Sequence, residues 1–206
     1  MRRKDTNGSD GKCIEGDCIN GYGIYAFSNG AKYEGTWKDG KLNGEGLSID
    51  SNGAKYVGQW KNGKENGDGT LNLSDGTEYK GQWKDGKEHG KGLLKLSDGT
   101  KYIGQWDCGE IHGLGTMIYS NGITYNGEWK RGKKDGHGKQ TYPDGGCFDG
   151  QWNNGLENGY GEFKYPDGTI FKGQWEQGKM HGQGIMIYVD GRKVKGKWKR
   201  GKVTWE

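Results

Sequence analysis

Short runs in which apolar and polar residues alternate follow one another along most of the chain. In residues 79–101, for example, Tyr79 and Trp83 lie on one side of a first run, and Leu94 and Leu96 lie on one side of a second. Alternation with a period of two residues is typical of a β-strand that buries one face. Glycines between the two runs mark a turn. The stretch therefore predicts a β-hairpin.

The hairpin pattern recurs every 23 residues, and a fixed period in this range predicts a repeat architecture. We number the copies 1 to 8 by their first residues, which are Tyr33, Tyr56, Tyr79, Tyr102, Tyr125, Phe148, Phe171 and Val194. A tryptophan stands four residues after each of them. We therefore expect a structural aromatic ladder of Tyr33, Trp37, Tyr56, Trp60, Tyr79, Trp83, Tyr102, Trp106, Tyr125, Trp129, Phe148, Trp152, Phe171, Trp175 and Trp198.

Each copy closes with an Asn-Gly or Asp-Gly pair, as at Asn52-Gly53 and Asp98-Gly99. Between alternating runs this dipeptide is typical of a two-residue hairpin turn in which both residues take positive φ. Glycines also stand inside the strands, as at Gly81 and Gly92. A strand glycine weakens a sheet unless another group fills its space, so we expect an aromatic ring to lie over these positions.

The repeat grid divides the chain into four parts. Residues 1–12 are polar and unpatterned, which predicts a flexible tail. Residues 13–32 fit a degenerate N-terminal half-copy that acts as a cap. Residues 33–193 hold seven full copies, and residues 194–206 a truncated eighth. One copy alone buries too little apolar surface to fold, so packing between copies is expected to be obligatory.

The motif Y-x-G-x-W-K-x-G-K-x-x-G-x-G, followed by D/N-G, resembles the MORN (membrane occupation and recognition nexus) repeat over residues 13–206. The opening CIEGDCINGYG is similar to the start of some bacterial members. The resemblance implies an all-β fold, an elongated single-layer antiparallel ribbon of stacked hairpins. It also implies a non-catalytic role in protein assembly, often as a dimer, and phospholipid binding is attributed to the repeat.

Composition and charge exclude several other classes. Only 29% of the residues are hydrophobic and 44 of 206 are glycine, which would suggest disorder if the residues were not placed periodically. The net charge of +4 arises from interleaved acidic and basic residues, so nucleic acid is not an expected partner. No apolar run approaches the roughly 20 residues of a membrane span. We expect a cytoplasmic protein, peripheral at a membrane if it binds lipid, and exported only if a leader was removed.

The four cysteines do not form a disulfide framework or a zinc motif. Zinc sites use closely spaced ligand pairs such as C-x-x-C, which the chain lacks. Cys108 and Cys147 lie in different copies at different positions. Unpaired thiols are the favoured interpretation, and the alternative is a Cys13–Cys18 bridge in an oxidising compartment.

Motifs that suggest enzyme chemistry are incomplete. G-x-x-x-x-G-K recurs, as at Gly35 to Lys41, but without the Ser or Thr and the helix that a phosphate-binding loop requires. His89, His112 and His181 occupy a slot filled elsewhere by Asn or Asp, which is typical of a turn. No serine stands at a fixed offset from a histidine that would suggest a nucleophile and its base. We predict no catalytic residue, no metal ligand and no cofactor.

Lysines recur on either side of the turn inside a copy and predict a basic edge. They are Lys38, Lys41, Lys61, Lys64, Lys84, Lys87, Lys130, Lys133, Lys199 and Lys202. The stripe is broken in copy 4 by Asp107 and Glu110 and in copy 6 by Asn153 and Leu156. Lysines also protect sheet edges from aggregation. The stripe is therefore either a protective edge or an anionic-surface binding site.

Ile185 and Ile187 stand on the strand face opposite the rings and are candidate dimer contacts. Met186 and Tyr188 already fill the core positions of that strand, which leaves the isoleucines outside the core. Leu47 and Ile49 in copy 1 are ambiguous, because a bulge there would turn them inward. We expect a homodimer through copies 7 and 8.

These observations favour a scaffold over an enzyme. The predicted function is to present an extended surface to an unidentified protein partner. The alternative is peripheral attachment to anionic, phosphoinositide-type phospholipid through the lysine edge.

Overall fold

The computed structural model of the protein describes residues 11–204. These residues form eighteen strands and no helix, so the described part of the chain has no helix long and apolar enough to cross a membrane. The strands are Gly11–Gly16 (β1), Tyr22–Phe27 (β2), Lys32–Lys38 (β3), Lys41–Ile49 (β4), Lys55–Lys61 (β5), Lys64–Asn72 (β6), Glu78–Lys84 (β7), Lys87–Lys95 (β8), Lys101–Asp107 (β9), Glu110–Ile118 (β10), Thr124–Lys130 (β11), Lys133–Thr141 (β12), Cys147–Asn153 (β13), Leu156–Lys164 (β14), Ile170–Glu176 (β15), Lys179–Ile187 (β16), Lys193–Lys199 (β17) and Lys202–Thr204 (β18).

The described residues form two compact units, one of residues 11–99 with 105–110 and one of residues 100–104 with 111–204. In the first unit, β1 to β8 pair antiparallel in chain order. In the second unit, β10 to β18 pair in the same way. Strand β9 has residues in both units. The predicted all-β fold of antiparallel hairpin repeats is confirmed.

The two-residue turn lies inside each copy, not at its end. Asp39 and Gly40 have φ angles of 50° and 69°, and the first turn residue of every later copy also has positive φ. Such a pair joins two strands whose twist it matches. Each copy is therefore one hairpin, as predicted from the alternation.

The expectation of positive φ at both residues of the closing Asn-Gly and Asp-Gly pairs was wrong. Gly53 has φ 84°, but Asn52 does not have positive φ. The Gly53 N–H donates to the Asp50 carbonyl at 2.9 Å, and the Asp50 N–H donates to the Ala54 carbonyl at 2.8 Å. This is a longer connection that ends in a glycine bulge, and it joins one copy to the next. The Asn52 carboxamide accepts the Ala54 N–H at 3.0 Å, which explains why Asn or Asp stands there.

The core on the face that carries the ladder, here called the ring face, is built from edge-to-face aromatic contacts. The Tyr56 ring is fully buried and meets Trp60 of its own copy at 5.1 Å and Trp83 of the next copy at 5.2 Å, with interplanar angles of 85° and 86°. In the second unit, Tyr125 meets Trp129 and Trp152 in the same way. Such pairs add roughly 0.5–1.5 kcal/mol beyond area burial. Each copy is thereby joined to the next.

The glycines inside the strands provide the space for these rings, as predicted. A Cβ atom on Gly69 would overlap the Tyr56 ring, and one on Gly92 would overlap the Tyr79 ring. The Trp83 indole N–H also donates to the Gly69 carbonyl at 3.3 Å. The strand position between the ring of one copy and the tryptophan of the next therefore accepts only glycine.

The N-terminal part differs from the sequence-based boundaries. Strand β1 begins at Gly11, so Gly11 and Lys12 belong to a strand and not to the predicted tail; residues 1–10 lie outside the described residues, as do residues 205 and 206. The cap is a complete hairpin, since β1 pairs with β2. Cys13 and Cys18 form a disulfide, so the favoured interpretation of unpaired thiols was wrong for this pair. Cys108 and Cys147 are free.

Copy 1 is now unambiguous. Ser48 is completely buried on the ring face, where it lies opposite Tyr33 on β3 and Tyr56 on β5. No bulge turns the neighbouring residues inward. Leu47 and Ile49 therefore lie on the other side of the sheet, which we call the opposite face.

Replacing Gly69 by alanine tests the seat under the Tyr56 ring. We expect Gly69→Ala to destabilise the fold by about 3 kcal/mol or more, because the buried ring is held by two tryptophans and cannot move aside. Gly76→Ala is the matched control: Gly76 has φ 88° but open space around it, so only backbone strain of roughly 1–2 kcal/mol applies. Urea unfolding measures both losses. An equal or smaller loss for Gly69→Ala would contradict the packing described.

Candidate interaction surfaces

The aromatic ladder belongs to the core and is not available to a partner. Apart from half-buried Tyr33, every predicted ladder residue is less than 10% exposed, from 0% at Tyr56 to 9% at Trp175. The Tyr56 hydroxyl donates to the Gln59 carbonyl at 3.0 Å, so its polar end is satisfied inside the fold. Interaction surfaces must therefore be sought among the residues around the ladder.

The predicted lysine edge lies at the two-residue turns. All ten lysines are exposed, and each pair faces directly across its hairpin, as Lys61 faces Lys64. The turns of consecutive copies are hydrogen-bonded, because the Gly63 N–H donates to the Leu42 carbonyl at 2.9 Å and the Gly86 N–H to the Glu65 carbonyl at 2.9 Å. In the first unit, copies 1 to 3 therefore form a continuous edge of lysine pairs.

In the second unit the basic turns are stronger but separated. Copies 5 and 8 read Lys-Arg-Gly-Lys, with Arg131 and Arg200 at the first turn residue, where φ is 51° in both. The sequence interpretation counted lysines only and missed these arginines. Copy 7 places Glu176 in the stripe, where its carboxylate meets His181 at 3.2 Å. Copies 6 and 7 thus interrupt the basic edge.

Each unit has an open cleft beside these turns. The cleft in the first unit has a volume of about 600 Å³ and is lined by Lys61, Lys64, Lys84, His89 and Asp85, among others. The cleft in the second unit, of about 980 Å³, lies against the Lys130 to Lys133 turn. Lysine and arginine there can attract an anionic group, but carboxylates stand among them.

A bulge in the second strand of copies 2, 3, 5 and 6 shapes one wall of these clefts. The Gln82 side-chain carbonyl accepts the Lys91 N–H at 2.9 Å, and in copy 5 the Glu128 carboxylate accepts the His137 N–H at 2.8 Å. Gly90, in the bulge, has φ 60°. The side chain of the first strand therefore replaces a missing ladder hydrogen bond.

The ring face of the second unit carries a half-buried lysine that the sequence interpretation did not single out. The Lys134 ammonium lies over the rings of Tyr119, Tyr125 and Trp152 at 5.6, 5.0 and 4.7 Å from their centroids. It also donates to the Gln140 side-chain carbonyl. Burial lowers the pKa of Lys134, while the Glu157 carboxylate acts in the other direction. Three copies contribute to this arrangement, so a single-copy motif does not reveal it.

Three tyrosines, one from each of copies 4 to 6, border the same ring face. Tyr119, Tyr142 and Tyr165 are half-buried, and burial raises the pKa of each phenol. Copies 1 to 3 have Asp50, Leu73 and Leu96 at the equivalent positions. The ring faces of the two units therefore differ in chemistry although their cores are alike.

On the opposite face, apolar residues lie directly across from each other on neighbouring strands. Leu47 faces Val57 across β4 and β5, and Val57 is 47% exposed. In the second unit, Ile170 faces Ile187 across β15 and β16, and both are half-buried. The predicted contact residues Ile185 and Ile187 therefore lie on this face, as expected, and Ile170 joins them.

The histidines do not converge on a site. His89 meets the Asp107 carboxylate at 3.4 Å, and His181 meets Glu176. Within residues 11–204, no group of three or more His, Cys, Asp or Glu side chains is placed to hold a metal ion.

The repeat pattern has a known counterpart. The family model of the MORN repeat matches residues 19–32, 33–55, 56–78, 79–101, 102–124, 125–147, 148–170 and 171–191. The chain belongs to the MORN repeat family. No curated protein matches the sequence.

Several solved structures match most of the chain at low sequence identity. The wild-type TCP10 domain of Danio rerio CPAP is 14% identical, with 90% of this chain and 88% of that chain covered and a TM-score of 0.48. The same domain in complex with a peptide of Danio rerio STIL is 15% identical, with 95% of this chain and 98% of that chain covered and a TM-score of 0.46. The SAS-4 (dCPAP) TCP domain of Drosophila melanogaster, in complex with a Proline Rich Motif of Ana2 (dSTIL), is 12% identical, covers 96% of each chain, and has a TM-score of 0.44.

Removing one lysine pair tests whether the basic edge has a structural role. Lys61 and Lys64 are exposed like charges facing each other, so we expect Lys61→Gln/Lys64→Gln to change stability by less than about 0.5 kcal/mol. Any change should be a gain at low salt, because cross-strand repulsion is removed. Urea unfolding at low and high salt measures it. A loss above about 1 kcal/mol would show that the lysines stabilise the fold.

Proposed function

We propose that this MORN-repeat chain is a non-enzymatic scaffold whose opposite face binds a protein partner. The observation that supports this most is the pairing of apolar residues there, Leu47 with Val57 and Ile170 with Ile187. Cross-strand partners lie about 5 Å apart, so each pair forms a contiguous apolar surface. The ring face already supplies the core, and the fold does not require apolar residues on the opposite face.

The remainder of the opposite face strengthens this argument. At equivalent positions, Lys139, Asp149, Glu162 and Lys172 follow one another across neighbouring strands. A charged row of this kind is the expected solvent side of a half-buried sheet. The apolar pairs depart from it locally, and exposed apolar surface rimmed by polar residues is typical of protein contact sites.

Capture from a lysate of the source organism, compared between variants, tests the scaffold. We expect Leu47→Thr/Val57→Thr or Ile170→Thr/Ile187→Thr to reduce recovery of a specific partner by about tenfold, since threonine preserves strand formation but removes apolar contact. Lys61→Gln/Lys64→Gln is the control and should capture normally. The proposal fails if both opposite-face variants capture as well as the wild type, or if no variant-sensitive partner is recovered.

The alternative function is peripheral binding to anionic phospholipid through the basic edge. The hydrogen-bonded turns of copies 1 to 3 favour it, because they hold lysine pairs side by side. Each lysine near an anionic surface contributes about 1 kcal/mol, and salt screens the attraction. The acidic residues Asp39 and Asp85 within the same turns reduce the effect.

Vesicle co-sedimentation separates the two functions. With phosphatidylcholine vesicles containing phosphatidylserine at physiological salt, the scaffold proposal predicts that the protein stays in the supernatant. Binding that is lost in Lys61→Gln/Lys64→Gln, and lost again at high salt, would support the membrane alternative instead.

A further inference from the structure

One apolar patch of the opposite face is surrounded by lysines. In the second unit, Ile170 and Ile187 face each other, and Ile185 lies two residues before Ile187 on the same strand face. We call these three residues the isoleucine patch. All three are half-buried, so part of each side chain remains accessible to a partner.

Four lysines lie directly opposite residues of the isoleucine patch on adjacent strands. Lys164 faces Ile170, Lys193 faces Ile187, and Lys172 and Lys195 face Ile185 from its two sides. We call them the lysine frame. The frame thus surrounds the patch on the strands to both sides.

The lysine frame is largely without counter-charge. The Lys172 ammonium pairs with the Glu162 carboxylate at 2.7 Å, and this bond raises the pKa of Lys172. Within residues 11–204, no ion pair is made by Lys164, Lys193 or Lys195, and all three are exposed. Four lysines and one glutamate leave a net charge of +3 around the patch, if every group is charged.

The equivalent patch in the first unit has a different frame. Leu47 and Val57 face each other, and Ile49 lies two residues after Leu47. The neighbouring positions hold Glu34 beside Leu47 and Thr70 beside Val57. Lys32 and Lys55 flank Ile49, and Lys32 meets Glu34 at 3.6 Å. This patch is apolar but nearly balanced in charge, so it serves as an internal comparison.

We propose that the isoleucine patch and the lysine frame together bind an acidic amphipathic segment of a partner protein. This inference rests on the proposed scaffold function and specifies its partner. An apolar ridge on the segment covers the isoleucines, and carboxylates beside the ridge meet the unpaired lysines. Complementary charge of this kind selects the partner and accelerates encounter, while the apolar contact supplies affinity.

A second copy of this chain fits the patch less well. A symmetric contact would place one isoleucine patch on another, and this would bring two lysine frames together. Like charges across an interface oppose binding. The homodimer predicted from Ile185 and Ile187 is therefore an outcome that the test must distinguish.

Fluorescence anisotropy with a designed probe tests the proposal. The probe is a fluorescein-labelled helical peptide of about 16 residues, with leucines at i, i+3, i+4 and i+7, three glutamates beside the leucines and alanines elsewhere. Its control replaces every glutamate with lysine. We expect the wild-type protein to bind the acidic peptide at least about tenfold more tightly than the basic one, and the difference should shrink as salt rises.

Variants assign the binding to the patch. We expect Ile185→Thr/Ile187→Thr to weaken binding of the acidic peptide by about tenfold, and Lys193→Gln/Lys195→Gln to weaken it by about threefold with a flatter salt dependence. Lys61→Gln/Lys64→Gln, at the basic edge of the first unit, should bind like the wild type. Circular dichroism melting accompanies each variant, and Lys193→Gln/Lys195→Gln keeps the test informative if the isoleucine variant does not fold.

Three results would overturn the proposal. The first is a wild-type protein that does not bind the acidic peptide, or a loss of binding as large in Lys61→Gln/Lys64→Gln. The second is a wild-type dimer by light scattering that Ile185→Lys/Ile187→Lys converts to a monomer, which assigns the patch to a second copy. The third is sedimentation with phosphatidylserine vesicles that Lys193→Gln/Lys195→Gln abolishes. If peptide binding fails while lysate capture still depends on the opposite face, only the acidic partner is excluded and the scaffold stands.

Discussion

The edge-to-face contact between the ring of one copy and the tryptophan of the next is the interaction on which each unit depends. Tyr56 lies between Trp60 and Trp83 and is fully buried. Its position requires bare backbone beneath it, which Gly69 supplies, and the carbonyl of that glycine accepts the Trp83 indole N–H. A copy alone would leave its ring exposed on one side. Stability is therefore a property of neighbouring copies, as in other repeat arrays.

This constraint separates the residues that fold the chain from those that can recognise a partner. The ring, tryptophan and glycine positions of each copy belong to the core. Sequence variation between copies is therefore confined to the turns, the opposite face and the border of the ring face. There the copies differ: lysine pairs at some turns, isoleucines framed by lysines at β14 to β17, and Lys134 over three rings in the second unit. A scaffold gains specificity in this way without any change to its core.

The fold was predictable because its signals are local and repeated, whereas features that combine several copies were not. Period-two alternation and the 23-residue grid predicted the hairpins, the ladder and the rings over glycine. The turn type was misassigned, because the two-residue turn begins with residues as different as Asp39, Cys108 and Arg131, and only the glycine after them recurs. The Cys13–Cys18 pairing depends on the cap hairpin, which is not a full copy of the motif. A disulfide of this kind is typical of proteins in oxidising compartments. It does not support the cytoplasmic location expected from the sequence, which stays a prediction.

A double-mutant cycle on Tyr56 and Trp83 tests the central claim, that ring contacts couple neighbouring copies. Unfolding free energies of Tyr56→Leu, Trp83→Leu and the double variant give the coupling directly. We predict a coupling of about 0.5–1.5 kcal/mol, as for edge-to-face pairs elsewhere. Tyr79 and Trp37, whose strands β7 and β3 are separated by roughly 19 Å, form the control cycle and should be additive within about 0.5 kcal/mol. Additive losses for Tyr56 and Trp83 would contradict the account.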